Sequence, residues 1–140
     1  MRNFFTDVIT VFNYIPDENT WHKSIIRGVQ WTHYGHKVSI VDGVVVHKEE
    51  ECITIDFERD YGNPSYVEPV LFEGLENKKG YWTLNAKDKK DIVVLGAVTE
   101  EISSGLLSRL RSKNQYCGVV AAVTDNRNRR RLKHIEAVIK

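Results

Sequence analysis

Apolar and polar residues alternate one for one in several separate stretches of this sequence, and this two-residue period restricts the fold more than any other feature. Residues 52–57 alternate in this way, and residues 7–14 divide between two sides, with Val8, Thr10, Phe12 and Tyr14 on one and Ile9, Val11 and Asn13 on the other. Successive side chains of a β-strand point to opposite faces of its sheet, so the period predicts strands with one buried face. Residues 21–33 are also β-rich but are broken by Gly28, which predicts one long strand with a bulge or a bend at that glycine.

An Asp-Gly pair indicates the sharpest turn. Asp42 and Gly43 lie between two apolar runs, residues 37–41 and 44–48. Both central residues of a type I′ turn need a positive φ, and Asp-Gly is a favoured pair for it. The two runs are therefore predicted to form a hairpin.

Residues 80–94, GYWTLNAKDKKDIVV, are interpreted as the hairpin around which the sheet is organised. Two short arms, residues 81–84 and 91–95, flank a polar tip at residues 85–90. Aromatic and β-branched residues fit a half-buried pleated surface, whereas a tip of this composition requires solvent. We expect the two arms to pair with each other.

The period changes in residues 99–113, which predict an amphipathic helix. Four apolar residues there follow the spacing of one helical face: Ile102, Leu106, Leu107 and Leu110. A shorter helical turn is expected to begin near Pro69, because proline is favoured at the first helical position.

Residues 118–124 are small and apolar and are predicted to form a strand that is buried on both faces. Residues 132–139 alternate again, which makes the polar residues 125–131 the tip of a terminal hairpin. About seven to nine short strands and one helix favour a mainly β fold, a small antiparallel β-barrel or sandwich-like domain with one amphipathic helix at about residues 99–113. A chain of 140 residues suits a single domain, residues 1–140.

The composition restricts the classes of function. A net charge of +1 gives no overall attraction to nucleic acid or to a membrane surface. No window approaches the roughly 20 apolar residues of a membrane-spanning helix, and the first residues do not resemble a signal peptide, so we expect a protein made and kept in a cytoplasm unless it leaves by cell lysis. Cys52 and Cys117 lack CxxC spacing, and we interpret them as reduced thiols.

The sequence contains no catalytic signature. Neither a nucleophile elbow nor a glycine-rich phosphate loop is present, so we predict a protein that is not an enzyme and has no cofactor. The spacing of the histidines does not demonstrate that they converge on a metal ion, and we interpret them as solvated or edge-strand residues: His22, His33, His36, His47 and His134.

Two charged clusters are the candidate interaction sites. The basic cluster lies in the predicted terminal hairpin and comprises Arg127, Arg129, Arg130, Arg131 and Lys133. Three interpretations remain open: the cluster contacts phosphates, it contacts an acidic partner surface, or it is only a solvated turn. The acidic cluster is Glu49, Glu50 and Glu51. Consecutive glutamates point in alternating directions, which favours a solvated acidic edge over a metal site.

Several apolar and turn motifs occur in a recognisable order: DVITVFN at 7–13, Trp21, IRGVQW at 26–31, GYWTL at 80–84, DIVV at 91–94, and a closing strand with His134. With these motifs the chain resembles small minor structural proteins encoded among the head and tail genes of tailed bacteriophages and prophages of Firmicutes. Its layout is similar to that of head–tail joining or stopper proteins, which are small β-barrels.

The resemblance implies a virion subunit that joins a ring at the head–tail connector, or completes a neighbouring part of the tail. Such a subunit is made in the bacterial cytoplasm and resides in the virion. Its partners are copies of itself, other phage structural proteins and packaged DNA, and no membrane. The acidic and basic clusters then meet across subunits, or the basic cluster faces DNA. The alternative is a small nucleic-acid-binding module that uses the basic hairpin tip.

Overall fold

The computed structural model describes residues 4–140, apart from the side chains of residues 34–39, 41 and 46–49. The strands are β1 (Asp7–Ile15), β2 (Thr20–Val41), β3 (Val44–Asp56), β4 (Ser65–Tyr66), β5 (Tyr81–Trp82), β6 (Ile92–Leu95), β7 (Cys117–Asp125) and β8 (His134–Ile139). The helices are α1 (Pro69–Glu73) and α2 (Leu106–Lys113), and a 3₁₀ turn covers Lys87–Lys89.

Six antiparallel strands close into a barrel in the order β1-β2-β3-β8-β7-β6, and β4 and β5 form a separate parallel pair. The predicted mainly β fold is thus confirmed, and the barrel is the correct alternative. None of the helices in residues 4–140 is long and apolar enough to cross a membrane.

The hydrophobic core has two parts, one on each side of the barrel wall. The inner part contains the residues that point into the barrel, which include Val11, Val93 and Trp82. The outer part joins Phe12 and Val94 to the apolar face of α2. Strands β1 and β6 are therefore buried on both faces where α2 covers them, and the alternation in β1 divides its apolar residues between the two parts.

Helix α2 is amphipathic as predicted, because Leu106 and Leu110 are buried, but the predicted start at residue 99 is wrong. Gly105 precedes the helix with a φ of 77°. The Arg109 guanidinium donates hydrogen bonds to the backbone oxygens of Ser104 at 2.8 Å and Glu101 at 2.6 Å. These bonds hold the preceding segment in a non-helical form against the first turn of α2.

The predicted hairpin at residues 80–94 is wrong. Strand β5 pairs with β4, whereas β6 pairs with β1 and β7. Trp82 and Leu84 belong to the inner core, so this segment is drawn into the barrel and does not pair with β6. Residues 85–91 then cross to β1, where the Asp91 carboxylate accepts hydrogen bonds from Asn13 and Tyr14.

Other local predictions are confirmed. Val8 pairs with Arg27 and Asp7 with Val29, so Gly28 is the extra residue of a bulge. The Asp42-Gly43 turn has a positive φ at both residues, and α1 begins at Pro69. The prediction that residues 118–124 are buried on both faces is only partly correct, because Ala122 and Thr124 are exposed.

A two-stranded arm extends beyond the barrel. Strand β2 pairs with β1 as far as Val29, and β3 pairs with β8 from Glu51 onwards. In the described ladders, residues 34–41 and 44–50 pair only with one another. We call residues 34–50 the arm; at 3.3 Å per residue it is about 25 Å long. Six of the nine residues 38–46 are Val or Ile.

Candidate interaction surfaces

The predicted charged clusters lie at opposite ends of the barrel. Strand β8 runs from His134, which pairs with Asp56, to Ile139, which pairs with Glu51. Residues 126–133 therefore extend from one end, and the arm extends from the other. The six residues of β8 separate these ends by about 17 Å. We call them the loop end and the arm end.

Arg127 is part of the protein's own structure. Its Nη2 lies 2.8 Å from Oδ2 of Asp125, and its guanidinium lies 4.5 Å from the ring centroid of Tyr66 and 5.7 Å from that of Phe57. The guanidinium holds the pKa of the Asp125 carboxyl below its ordinary value. Arg127 thus fixes the hairpin tip to the aromatic residues of the loop end.

The other members of the basic cluster are exposed. Arg129, Arg130 and Arg131 lie in the tip between β7 and β8, and the backbone N–H of Lys133 donates to Oε1 of Glu58 at 2.8 Å. The structure therefore brings these four cationic side chains to one end of the barrel and gives Arg127 a different environment.

The acidic cluster lies at the base of the arm. The carboxylate of Glu51 accepts a hydrogen bond from Nε1 of Trp31 at 2.5 Å and pairs with His33. Glu50 and Glu51 are both half-buried and line a cavity of about 290 Å³ with Cys117. The side chain of Glu49 lies outside the described residues, so this cluster is described for two of its three members.

A cavity of about 300 Å³ lies at the loop end, lined in part by Asp56, Tyr61, Asn63 and Trp82. The hydroxyl of Tyr61 donates to Asp56 at 2.6 Å. The Asn63 amide accepts from the backbone N–H of Arg27 and donates to its carbonyl, both at 2.8 Å. These polar groups satisfy one another, so their arrangement attaches the loop to the bulge of β2.

Sequence reasoning missed a buried polar network. The carboxylate of Asp91 accepts hydrogen bonds from the backbone N–H of Tyr14 at 2.8 Å, from Nδ2 of Asn13 at 2.9 Å and from the backbone N–H of Asn85 at 3.0 Å. Burial raises the pKa of Asp91 to about 6, and the three hydrogen bonds oppose this shift. In the sequence, the one indication of this network was a carboxylate, Asp91, directly before the apolar run of β6.

The histidines do not form a described metal centre. Within the described residues, no group of three or more His, Cys, Asp or Glu residues is arranged to hold a metal ion. His33 pairs with Glu51 at the arm end, whereas His134 lies in β8 beside Glu136 at the loop end. The side chains of His36 and His47 lie outside the description.

Cys117 is expected to react slowly with alkylating reagents. Burial raises the pKa of the Cys117 thiol from 9.0 to about 11. The thiolate is the reactive form, so at pH 8 we expect Cys117 to react about 100-fold more slowly in the folded than in the unfolded protein. Mass spectrometry after timed iodoacetamide labelling measures this ratio, and equal rates would contradict the expectation.

Two exposed apolar patches lie at opposite ends of the molecule. At the arm tip, Ile40 is 74% exposed, with Val44 and Val45 exposed beside it. In α1, Val70 is 81% and Leu71 61% exposed. Helix α1 follows β4 at the loop end, where Phe72 contacts the ring of His22. We call these surfaces the arm tip and the α1 patch.

Comparison with known proteins identifies the family to which the chain belongs. No curated protein and no solved structure matches the chain significantly. One family model matches residues 4–139, which is nearly the whole sequence. The chain therefore belongs to a family of unknown function, DUF6751.

Proposed function

We propose that this protein is a structural subunit of the virion of a tailed bacteriophage or prophage, and that it assembles into a ring at the head–tail connector or completes a neighbouring part of the tail. The observation that carries the proposal is the arm, whose exposed apolar tip projects from a closed barrel. In this proposal the protein is not an enzyme, and its partners are copies of itself and other phage structural proteins.

The arm supports an assembly role because it is unsuited to exposure. A lone two-stranded hairpin is marginally stable in water, and this one displays Ile40, Val44 and Val45 at its tip. Contiguous exposed apolar surface typically marks an interaction site. A partner that covers the arm tip stabilises both the hairpin and the complex.

The separation of the two ends supports a ring. A heterologous contact joins two different patches on neighbouring subunits, and it closes into a ring when the rotation between subunits permits. The arm and Glu51 lie at one end, and the exposed arginines lie at the other. Different surfaces at different ends suit this type of contact. The exposed arginines then face a neighbouring subunit or packaged DNA.

Arm-tip variants are expected to be lost from phage particles. Replacing Val44 and Val45 with Asp places charge on the apolar tip without touching the core, so we expect the amount incorporated to fall by about tenfold or more. Mass spectrometry of particles purified after prophage induction measures this amount. Ile25→Asp is the matched control, since Ile25 is exposed on the outer face of β2, away from the arm tip.

The proposal is overturned if the wild-type protein is missing from purified particles. The neighbouring genes give a second test. A portal, capsid or tail gene beside the gene for this chain supports a virion role, and a metabolic operon contradicts it.

The alternative is a nucleic-acid-binding module, which the exposed Arg129, Arg130 and Arg131 favour. Such a module binds duplex DNA as an isolated monomer, with an affinity that falls steeply as salt rises. A connector subunit binds DNA weakly until it is assembled. Tight, salt-dependent binding by the monomer that is lost when the three arginines become Glu would support the alternative.

A further inference from the structure

We infer that the loop end binds the phosphate backbone of duplex DNA through two loops at once, residues 85–90 and residues 126–133, and that it does so without reading the base sequence. This inference rests on the proposed virion function and deepens it. It names DNA, and not a neighbouring subunit, as the partner of the exposed arginines, and it adds a second loop to their surface. The placement of the two loops, their unpaired cations and the residue types that they lack carry the argument.

The fold places the two loops beside each other. Strand β6 pairs only with the first residues of β7, Cys117–Val119. Directly after this ladder, the backbone N–H of Val120 donates to the carbonyl oxygen of Asp91 at 2.9 Å, and the 3₁₀ turn Lys87–Lys89 lies beside β7. Strand β7 ends at Asp125, so about 17 Å of strand separates Asp91 from the start of the second loop.

The exposed cations of the two loops form one surface. We call it the two-loop surface, and its members are Lys87, Lys89, Arg129, Arg130, Arg131 and Lys133, all of them exposed. In the described part of the chain, none of these six side chains forms an ion pair. Two other cations are used within the protein: Nζ of Lys90 lies 4.5 Å from the ring centroid of Tyr14, and Arg127 pairs with Asp125.

The two-loop surface stays positive when the carboxylates next to it are counted. Asp88 lies in the 3₁₀ turn, Glu58 accepts a hydrogen bond from the backbone N–H of Lys133, and Glu136 pairs with His134. Six cations and these three anions give a local net charge of +3, whereas the whole chain carries +1. Clustered like charges repel one another, and an anionic ligand relieves that repulsion.

The residue types of the two loops favour duplex DNA. A protein interface typically has an aromatic or aliphatic centre, and single-stranded nucleic acid stacks on aromatic side chains. Residues 85–90 and 126–133 contain no aromatic residue, and Leu132 is their one large apolar residue. Duplex DNA carries about ten phosphate charges over 17 Å of its axis, a span like that between the loops. Contacts with phosphates carry no base information, so we expect binding to any sequence.

The salt dependence of DNA binding counts the cations that each loop contributes. The logarithm of the association constant falls with the logarithm of the salt concentration, with a slope of about −0.9 for each phosphate contact. For the isolated protein and a duplex of about 20 base pairs, we expect a Kd on the order of 10 µM at about 50 mM NaCl and a slope of about −5. Fluorescence anisotropy of the labelled duplex measures both quantities.

Two sets of variants separate the loops. Lys87→Gln combined with Lys89→Gln is expected to make the slope less steep by about 2, and Gln at Arg129, Arg130 and Arg131 to make it less steep by about 3. All of these side chains are exposed, so the substitutions leave the core intact. A duplex of unrelated sequence is expected to bind each protein with an affinity that differs by less than about twofold.

Lys113→Gln combined with Lys140→Gln is the matched control, because it removes the same charge as the Lys87 and Lys89 pair from the arm end. Lys140 directly follows Ile139, which pairs with Glu51, and Arg111 of α2 donates to the backbone oxygen of Lys140 at 2.8 Å. We expect this control to keep the wild-type slope, since its charges lie outside the contact with DNA.

Three results would overturn the inference. The first is no binding of duplex DNA at protein concentrations on the order of 100 µM, which would assign the arginines to an acidic protein partner. The second is a wild-type slope in the variant that lacks Lys87 and Lys89, and the third is an equal change of slope in the arm-end control. If DNA binding is absent but the protein is found in phage particles, the inference is wrong and the proposed function stands. If both loops contribute to the slope but the protein is missing from particles, the proposed function is wrong and the DNA contact stands.

Discussion

Gly28→Ala is expected to lower the free energy of unfolding by about 3 kcal/mol or more. Gly28 has a φ of 77°, and a Cβ atom built there lies 2.4 Å from ring carbons of Tyr61. The left-handed conformation alone costs a non-glycine residue about 1–2 kcal/mol. The clash adds to this cost because the ring is held in place by the Tyr61–Asp56 hydrogen bond. Urea unfolding followed by Trp fluorescence measures the loss.

Gly62→Ala is the matched control for this prediction. Gly62 belongs to the same loop as Tyr61 and has a φ of 74°, but a Cβ atom there meets no other atom within 4 Å. Its substitution therefore introduces backbone strain without the clash. We expect a loss of about 1 kcal/mol, and equal losses in the two variants would show that the Tyr61 contact contributes nothing.

The bulge at Gly28 also shows which features of the fold can be predicted from local sequence. A glycine within a β pattern, or Asp42-Gly43 between two apolar runs, identifies a backbone conformation that few other residues adopt. The period of two likewise identifies strands, since it reflects one buried face. These predictions are correct because residues adjacent in the sequence are sufficient to determine the local backbone conformation.

Strand partners could not be predicted in the same way. Residues 81–84 and 91–95 both have β character, and their proximity in sequence favoured a hairpin. The structure instead places Trp82 in the inner core and pairs β6 with β1, about 80 residues away in the chain. The partner of β6 depends on which strands meet when the barrel closes, and residues next to each other in the sequence do not determine this.

The roles of charged residues were similarly hidden. Arg127 and Arg129 are two positions apart and looked equivalent in sequence. One pairs with Asp125 over the ring of Tyr66, and the other is exposed. The difference arises because the hairpin places Arg127 beside β4, which is distant in sequence. A basic cluster in a sequence therefore overstates the number of cations available to a partner.

The Asp91 network gives the second large prediction, a change of stability with pH. The pKa of Asp91 is raised from 3.8 to about 6 in the folded protein, so the folded state binds more protons than the unfolded state between these values. Its contribution to stability is complete below about pH 3 and is lost as the pH rises through 6. A shift of about two pKa units corresponds to about 3 kcal/mol.

Asp91→Asn isolates this effect because asparagine does not titrate. Its amide places an N–H group against the donors of Asn13 or Asn85, which lowers the stability of the variant by an amount independent of pH. The difference in free energy of unfolding between the wild type and the variant is therefore expected to fall by about 2 kcal/mol between pH 4 and pH 7. Asp125→Asn is the control. Because the pKa of Asp125 is lowered in the folded protein, the difference in free energy of unfolding between the wild type and this variant stays constant above pH 5. Urea unfolding at a series of pH values measures both differences. A difference for Asp91 that grows with pH would mean that its three hydrogen bonds outweigh its burial and keep the carboxylate charged.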